Sequence, residues 1–306
     1  LRVLSWPGED DVAVLLSPGG SEVQVSEDPA CVADADAVAL AVPSGGTRAV
    51  AASIAGHLRP QTPVISWQNG VDNALWLREA LPHNPVVGSI VLYNAVRLSE
   101  GTVRYTIPNA VVYAMQGRSH VPAGLDADHP RVHQPVRFVP DLLAVQWSKL
   151  LVNLANGPLA LVPMGYAQAF ADRDFRACAA LILSEGMQTV RSAGIAPSPL
   201  GDIDPRKILL FLRLPAVLVP LLRPLLPAIH PDASPSTAQM LERGVPTEVD
   251  HLNGRIVALA EESGGAAPCN RRIVELVKAE EHKPLDERRR WTAAALRGEL
   301  RRAKER

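Results

Sequence analysis

The sequence of 306 residues contains little cysteine and almost no net charge, and both absences exclude whole classes of protein. The formal net charge is −1, which gives no electrostatic basis for binding nucleic acid or an anionic membrane. The three cysteines, Cys31, Cys178 and Cys269, lie far apart and in no metal-ligand spacing. Such a sparse, odd set is typical of reduced thiols rather than of a secreted disulfide scaffold, so we expect a cytoplasmic protein without a metal site.

Apolar runs long enough to span a membrane are also scarce. The strongest candidate, residues 208–229, contains Arg213 and Arg223 together with four prolines. Arginine and proline disfavour a lipid-facing helix, and we expect short helices packed within the protein there. Residues 1–6 include no initiator methionine and do not resemble a signal peptide, so we expect the natural chain to begin upstream.

Familiar catalytic motifs are missing as well. There is no nucleophile motif, and the pairs Gly19-Gly20 and Gly45-Gly46 do not match the G-x-G-x-x-G fingerprint of a dinucleotide-binding turn. Arginines are concentrated near the C-terminal end, between residues 288 and 302. We interpret them as a solvated helix face and expect no nucleic-acid partner.

The order of strand-like and helix-like segments predicts two domains. In the first ~130 residues strands alternate with helices, which is typical of a parallel sheet with right-handed crossovers. The predicted strands cover residues 12–16, 22–25, 37–42, 63–67, 86–94, 101–105 and 110–115, and the predicted helices cover residues 47–58 and 73–80. Beyond about residue 140 helical periodicity dominates. We place the domains at residues 1–139 and 140–306, with a polar linker at residues 119–140.

Three polar residues stand out in an otherwise apolar helical segment of the second domain. Lys149, Asn153 and Asn156 follow the offsets i, i+4 and i+7, which place them within about 60° on one helix face. Neighbours such as Trp147 and Leu151 favour burial. Because buried polar groups need partners, the three side chains should bind each other or a polar ligand. For Lys149 alone, an interface salt bridge or a snorkelling side chain is an equal alternative.

Three further residues have two interpretations each. Asn69 follows an apolar strand, where open α/β sheets bind ligands, although Asn-Gly is also a common turn pair. Glu248 comes after Thr247, a candidate helix cap, and is either a carboxylate that favours the helix start or a functional acid. Ser236 is either a helix cap or a binding residue. Spacing alone leaves these alternatives open.

These residues belong to a longer set that resembles the 2-dehydropantoate 2-reductase (ketopantoate reductase) family between about residues 20 and 282. The matching segments are Gln68-Asn69-Gly70-Val71, Trp147-Ser148-Lys149-Leu150-Leu151-Val152-Asn153, Ser236, Pro246-Thr247-Glu248-Val249-Asp250 and Asn253-Gly254. The last three come in the order and spacing of the family. Weaker matches are Tyr93-Asn94-Ala95, Gly101 and Ala267-Pro268-Cys269-Asn270.

The resemblance implies both a fold and an activity. The implied fold is a truncated, Rossmann-like parallel α/β sheet followed by an all-helical C-terminal domain, similar to 6-phosphogluconate dehydrogenase. The implied activity is NADPH-dependent reduction of the small 2-keto acid 2-dehydropantoate to pantoate, a step towards pantothenate and coenzyme A. The residues that match functional positions of the family are Lys149 and Glu248 (catalytic), Asn153, Asn156 and Ser236 (substrate), and Asn69 and Ser44 (cofactor).

The chain also departs from the pattern of the family. The opening strand and glycine fingerprint are missing, and Pro43 stands where the family commonly has a lysine. Asn156 matches only part of the family, since other members have the asparagine one residue later, at Gly157. Two alternatives therefore stay open: a non-catalytic or cofactor-deficient relative that retains a ligand- or partner-binding cleft, and a reductase of a related 2-keto acid. Helical second domains of this kind are compatible with a homodimer.

Overall fold

The computed structural model describes residues 2–4, 24–92, 94–99, 102–107, 111–114, 136–199, 203–222 and 235–306. The chain divides into two compact units, Leu1–Leu142 and Leu143–Arg306. The sequence places the boundary between residues 139 and 140. The strand predicted at residues 12–16 and most of the linker predicted at residues 119–140 lie outside the described residues.

The described strands of the first unit pair in three sheets. Their bounds are β1 (Arg2–Leu4), β2 (Gln24–Ser26), β3 (Val38–Leu40), β4 (Val64–Ser66), β5 (Val86–Val91), β6 (Asn94–Ser99), β7 (Thr102–Ile107), β8 (Val111–Ala114) and β9 (Val136–Val139). The largest sheet has the order β3-β4-β5-β8-β9, while β1 pairs with β2 and β6 pairs with β7. In the large sheet β3, β4 and β5 are parallel, with Ala39 opposite Ile65 and Ile65 opposite Val87.

Two features of these sheets differ from the expectation. Strand β8 runs antiparallel to β5, and β6 and β7 form an antiparallel hairpin. Strand β9 lies within the segment that was predicted to be a linker. The predicted fold class is nevertheless confirmed, because a parallel sheet flanked by helices precedes a helical domain.

Helices α1 (Thr47–Ala55) and α2 (Asn73–Ala80) follow β3 and β4 in the chain. A short 3-10 turn at Pro29–Val32 precedes β3, and a second one at Ser44–Gly46 leads directly into α1. One face of α1 repeats apolar residues at helical spacing, and its Val50 and Ile54 are buried with Leu40 of β3 and Leu77 of α2. This core holds α1 and α2 against the strands that precede them.

The second unit is helical throughout the residues that the structure describes. Its helices are α3 (Leu142–Asn153), α4 (Asn156–Leu161), α5 (Tyr166–Ala171), α6 (Arg173–Ser192), α7 (Pro205–Leu212), α8 (Val219–Leu222), α9 (Ser236–Arg243), α10 (Asn253–Glu262), α11 (Pro268–Glu281) and α12 (Ala293–Glu305), with 3-10 turns at Ala216–Leu218, Val249–His251 and Leu285–Glu287. The long helix α6 packs against α7, α10, α11 and α12. Phe175 and Ile182 of α6 are fully buried there, so α6 forms the centre of this unit.

The segment that could be mistaken for a membrane span is broken into short pieces. Helix α7 ends at Leu212, and a 3-10 turn and the four-residue helix α8 follow Pro215. Among the described residues, no helix is both long and apolar enough to cross a membrane.

The interpretation of the arginine-rich end as a solvated helix face is wrong for part of it. Arg288, Arg289 and Arg290 precede α12. The guanidinium of Arg288 donates to the backbone carbonyls of Leu241, Glu281 and Lys283, and that of Arg289 stacks 3.7 Å from the ring centre of Trp291. Arg288 and Arg289 therefore help to hold the segment that precedes α12 in place.

Candidate active site

The first group of predicted site residues lies where β3 and β4 end. Ser44 opens the 3-10 turn after β3, and Asn69 follows β4. The Ser44 hydroxyl donates to the backbone carbonyl of Asn69 over 3.1 Å and accepts from Nδ2 of Asn73 over 3.0 Å. The fold thus brings Ser44 and Asn69, which are 25 residues apart in sequence, into direct contact at the carboxyl edge of the parallel strands.

Further polar side chains complete this group, which we call the strand-end network (Ser44, Thr47, Ser66, Gln68 and Asn73). Gln68 donates through Nε2 to the Val42 carbonyl, over 2.9 Å, and to Oγ1 of Thr47, over 2.6 Å. Thr47 donates to Oδ1 of Asn73 over 2.7 Å, and Ser66 donates to Oε1 of Gln68 over 3.0 Å. Every member of the network is buried.

The strand-end network ties the loop after β3 to the loop after β4. Asn73 also donates to the Asn69 carbonyl over 2.5 Å, and Gly70 adopts φ +90°, a conformation that favours glycine. Ser44 is only 2% exposed, so its hydroxyl acts inside the protein and holds Asn69, which is half-buried. Cofactor contact by Ser44 and by Asn69 stays a prediction.

Sequence reasoning gave no role to Thr47, Gln68 or Asn73. Gln68 lies in a segment that matches the family, but only the fold shows what its amide contacts. Asn73 is the first residue of α2, and a polar residue at a helix start next to a strand end was the available signal.

In the second unit, Lys149 and Glu248 are close enough to influence each other electrostatically. Lys149 lies on α3 and is half-buried, while Glu248 is 6% exposed. Burial of the Lys149 ammonium lowers its pKa to about 8, and the negative charge of Glu248 opposes that decrease. The result is a lysine that remains mainly protonated at neutral pH but releases its proton easily.

Glu248 is held in place by its neighbours in sequence. The hydroxyl and the amide of Thr247 both donate to Oε1 of Glu281, over 2.5 and 2.9 Å. Asp250 forms an ion pair with Lys278, which also pairs with Glu281. These contacts clamp the turn that carries Glu248 onto α11. Thr247 also accepts from the amide of Val249, but the N-cap of the 3-10 turn Val249–His251 is Glu248, so the interpretation of Thr247 as a helix cap is wrong.

The expectation that Lys149, Asn153 and Asn156 share one helix face is wrong for Asn156. Helix α3 ends at Asn153, and Asn156 begins α4 after a turn. The cause is Pro158, which has no N–H to donate to the carbonyl of Leu154 four residues earlier, and whose ring crowds that carbonyl. Asn156 is therefore placed by α4, not by the periodicity of α3.

Asn156 has a partner that the sequence did not indicate. The hydroxyl of Tyr166, the first residue of α5, donates to Oδ1 of Asn156 over 3.4 Å. Burial raises the pKa of Tyr166 to about 12, so this hydroxyl keeps its proton at physiological pH. With Oδ1 of Asn156 engaged, its Nδ2 remains to donate to another group.

The other two predicted substrate residues have polar groups available for a ligand. Asn153 and Ser236 are half-buried, and neither side chain forms a hydrogen bond within the described part of the chain. Ser236 is the first residue of α9 rather than its cap, a position that Pro235 occupies, and α9 packs against α4. Within the same described residues, no group of three or more His, Cys, Asp or Glu could hold a metal ion.

Comparison with protein families gives two matches, one in each half of the chain. The model described as "Ketopantoate reductase PanE/ApbA" matches residues 14–116. The model described as "Ketopantoate reductase PanE/ApbA C terminal" matches residues 141–281. Together they cover more than half of the sequence, including every predicted site residue.

Individual proteins agree with these matches. A 2-dehydropantoate 2-reductase of Halobacterium salinarum is 26% identical over 285 residues, which are 88% of this chain and 85% of that protein. The crystal structure of a PanE/ApbA family ketopantoate reductase from Ralstonia eutropha JMP134 superposes with a TM-score of 0.69 and 28% identity, over 85% of this chain and 80% of the other.

Two more distant structures share the fold alone. D-mandelate dehydrogenase, solved with NADH and anilino(oxo)acetate, has a TM-score of 0.68 at 18% identity and covers 85% of this chain and 80% of its own. A dimeric ketopantoate reductase from Staphylococcus aureus has a TM-score of 0.61 at 16% identity, with coverage of 85% and 82%.

Proposed function

Because the chain belongs to the ketopantoate reductase family, we propose that it reduces the 2-keto group of 2-dehydropantoate to the alcohol of pantoate, using NADPH. The observation that carries this proposal is the half-buried lysine Lys149, whose ammonium feels the negative charge of the buried carboxylate of Glu248. A carbonyl reduction needs a proton for the oxygen as well as a hydride for the carbon, and this pair is suited to supply the proton.

Lys149 is the proposed general acid. Its ammonium donates a proton to the carbonyl oxygen as the C=O double bond becomes a C–O single bond, and the neutral amine regains a proton from solvent afterwards. A pKa of about 8 favours this role, because proton transfer is most effective when the pKa lies near the working pH. Before the transfer, the positive charge stabilises the negative charge that develops on the oxygen.

The proposed substrate ligands are four residues of the second unit: Glu248, Asn153, Asn156 and Ser236. The amides and the hydroxyl offer hydrogen-bond donors for a carboxylate, and the carboxylate of Glu248 can accept from a substrate hydroxyl while it keeps Lys149 charged. Unpaired polar groups on Asn153 and Ser236 support this assignment.

The first unit is the proposed site of the nicotinamide cofactor, which supplies the hydride when bound. Open α/β sheets bind ligands at the carboxyl ends of their parallel strands, and Asn69 and Ser44 lie at the ends of β4 and β3. The strand-end network supports the fit, since it fixes the loop backbone that a dinucleotide would contact. We propose that Asn69 contacts the cofactor and that Ser44 acts by holding Asn69.

The choice of NADPH over NADH needs a test of its own. A 2′-phosphate is usually bound by cationic side chains, and Pro43 replaces the lysine common in the family. We expect NADPH to remain the better substrate, but with a smaller preference than in relatives that have the lysine. The ratio of kcat/KM for the two cofactors measures it, and a ratio below one would contradict the proposal.

A 2-keto acid panel tests the activity. Oxidation of NADPH is followed at 340 nm with 2-dehydropantoate and with 2-keto acids that have other side chains. The proposal expects 2-dehydropantoate to have the highest kcat/KM. A preference for another 2-keto acid would support the related-reductase hypothesis, and no turnover with any of them would support a non-catalytic relative.

Two cellular properties complete the proposal. We propose a cytoplasmic location: Cys178 and Cys269 are buried as free thiols, and burial raises the pKa of each to about 12, so neither is poised for disulfide chemistry. We also propose a homodimer, because the ketopantoate reductase from Staphylococcus aureus that shares this fold is described as dimeric. Light scattering after size exclusion measures the assembly, and a mass of one chain would contradict it.

A further inference from the structure

The turn between α3 and α4 contains a carbonyl group that its own helix cannot satisfy. In a continuous helix the carbonyl of Leu154 would accept from the N–H of residue 158, but residue 158 is proline. Nδ2 of Asn253, which lies 99 residues further along the chain, donates to that carbonyl instead, over 3.2 Å. A distant side chain thus replaces the missing backbone donor.

Asn253 is itself held by a second asparagine. Its Nδ2 also donates to Oδ1 of Asn270 over 3.0 Å, and Nδ2 of Asn270 donates to Oε1 of Glu185 over 2.9 Å and to the carbonyl of Ile182 over 3.2 Å. Both asparagines are 0% exposed. Because every one of these amide groups is buried, each orientation is fixed by its partner.

The chain of bonds ends at the start of α11. Oε1 of Glu185 accepts from the backbone N–H of Asn270 over 2.8 Å, and Oε2 accepts from that of Cys269 over 2.9 Å. A carboxylate at this position satisfies the unpaired N–H groups of the helix start and interacts favourably with the helix dipole. Glu185, Asn270 and Asn253, which we call the asparagine relay, therefore connect α6 and α11 with the turn after α3.

Gly157 allows the relay to approach this closely. A Cβ atom at residue 157 would lie 2.8 Å from Oδ1 of Asn253 and 2.5 Å from Cγ2 of Ile273, too close for either contact. The same oxygen of Asn253 is buried and accepts no N–H or O–H from the described residues, and it occupies the space that a Cβ atom at residue 157 would need. Gly157 and Pro158 together shape the turn to which Asn253 binds.

We propose that the asparagine relay consists of positioning residues for the reductase reaction. By fixing the turn between α3 and α4, it sets Lys149 and Asn153, near the end of α3, relative to Asn156 at the start of α4. The effect on turnover rests on the proposed function, whereas the contacts themselves do not. Asn253 and Asn270 are fully buried, so the relay acts through the backbone carbonyl of Leu154 and not by direct contact with a ligand.

The test compares Asn253→Ala with Val277→Ala. Val277 is a fully buried residue of α11 outside the relay, so its substitution serves as a control for a general loss of packing. In Asn253→Ala we expect faster amide hydrogen exchange in residues 151–161 than in the control. We also expect kcat/KM for 2-dehydropantoate to fall by about 10- to 100-fold, since misplacement of about 1 Å can have that effect, with KM for NADPH within about twofold of wild type.

Glu185→Gln is the second variant, and it keeps the shape of the side chain if Asn253→Ala does not fold. It removes one acceptor at the start of α11, so we expect the same changes in exchange and in kcat/KM, but smaller. If hydrogen exchange of residues 151–161 in both variants equals that of Val277→Ala, the proposal that the relay fixes this turn is overturned. Faster exchange with unchanged kcat/KM would overturn its positioning role.

A wild-type protein without turnover would contradict the proposed function and leave the comparison of exchange rates to decide the relay. Faster hydrogen exchange of residues 151–161 in Asn253→Ala than in Val277→Ala would then support the inference that the relay fixes the turn between α3 and α4. Equal exchange would overturn it.

Discussion

The carboxylate of Glu248 opposes the loss of charge that burial imposes on Lys149. The two residues are 99 positions apart in sequence, and their approach depends on the clamp that binds the turn of Glu248 to α11. No other residue of α3 carries a charge, so a charged partner for Lys149 must come from another element. This relationship gives the second unit its chemistry.

Removal of the Lys149 ammonium should abolish most of the catalysis. In Lys149→Ala we expect kcat to fall by about 10²- to 10⁴-fold, the usual contribution of a positioned general acid. KM for NADPH should hardly change, because the strand-end network lies in the other unit. Steady-state kinetics measure both values. Lys207→Ala, at an exposed lysine of α7, is the matched control, and equal turnover in the two variants would remove Lys149 from its role.

The strand-end network should affect stability and cofactor use together. Asn73→Ala removes one hydrogen bond each from the buried hydroxyls of Ser44 and Thr47, so we expect the free energy of unfolding to decrease by about 1–3 kcal/mol. We also expect KM for NADPH to rise by about tenfold, the equivalent of ~1.4 kcal/mol of binding, with KM for the keto acid unchanged.

The control for this variant is Asn84→Ala. Asn84 precedes β5 and donates to the carbonyls of Arg59 and Thr62, which precede β4, so its contacts lie at the opposite ends of these strands from the network. It should lose stability but keep its KM for NADPH. If both variants raise KM for NADPH equally, the network has no specific role in holding the cofactor loops. Urea denaturation and initial-rate kinetics on the same samples provide the comparison.

Two glycines of the second unit should respond to alanine with opposite sign. In Gly157→Ala the added carbon meets Ile273 and Asn253, so we expect a loss of about 1–3 kcal/mol in the free energy of unfolding. Gly298, within α12, leaves room for a Cβ at 3.5 Å from the nearest atom, and Gly298→Ala should stabilise by about 0.5–1 kcal/mol. Chemical denaturation measures both, and a tolerated alanine at residue 157 would contradict the close packing of α4 on α11.

Local patterns in the sequence were sufficient where a single element decides the outcome. The helix predicted at residues 73–80 is α2 without change, because its apolar side chains repeat at helical spacing. The parallel arrangement of β3, β4 and β5 also followed from the alternation of strands with helices.

Long-range pairing decided the features that local patterns missed. The end of α3 depends on Pro158 four residues beyond Leu154 and on Asn253 nearly a hundred residues away, and neither effect is visible in helical periodicity. Strand β9 lay in a segment that was polar enough to be taken for a linker, although it pairs with β8. The carbonyls that bind Arg288 belong to α9, to the end of α11 and to the loop after α11, and its charge alone had suggested a solvent-exposed side chain.

The candidate site shows the same contrast between what local patterns predict and what only the fold reveals. The types of residue predicted the chemistry, since an ammonium and amides beside apolar residues need polar partners. The partners themselves, Tyr166 for Asn156 and Asn73 for Ser44, came from the fold. Resemblance to a family supplied Glu248 and Ser236, whose spacing alone could not distinguish function from capping.

The dependence of kcat/KM on pH, measured for 2-dehydropantoate in wild type, Glu248→Gln and Glu242→Gln, tests whether Lys149 acts as the acid. With the pKa of Lys149 lowered to about 8, the protonated form is lost above that pH, so activity should fall there by tenfold per pH unit. Removing the charge of Glu248 should move the midpoint to lower pH, while removal of the exposed carboxylate of Glu242 should leave it in place. A profile that stays flat to pH 10, or a midpoint that is the same in all three proteins, would contradict the account.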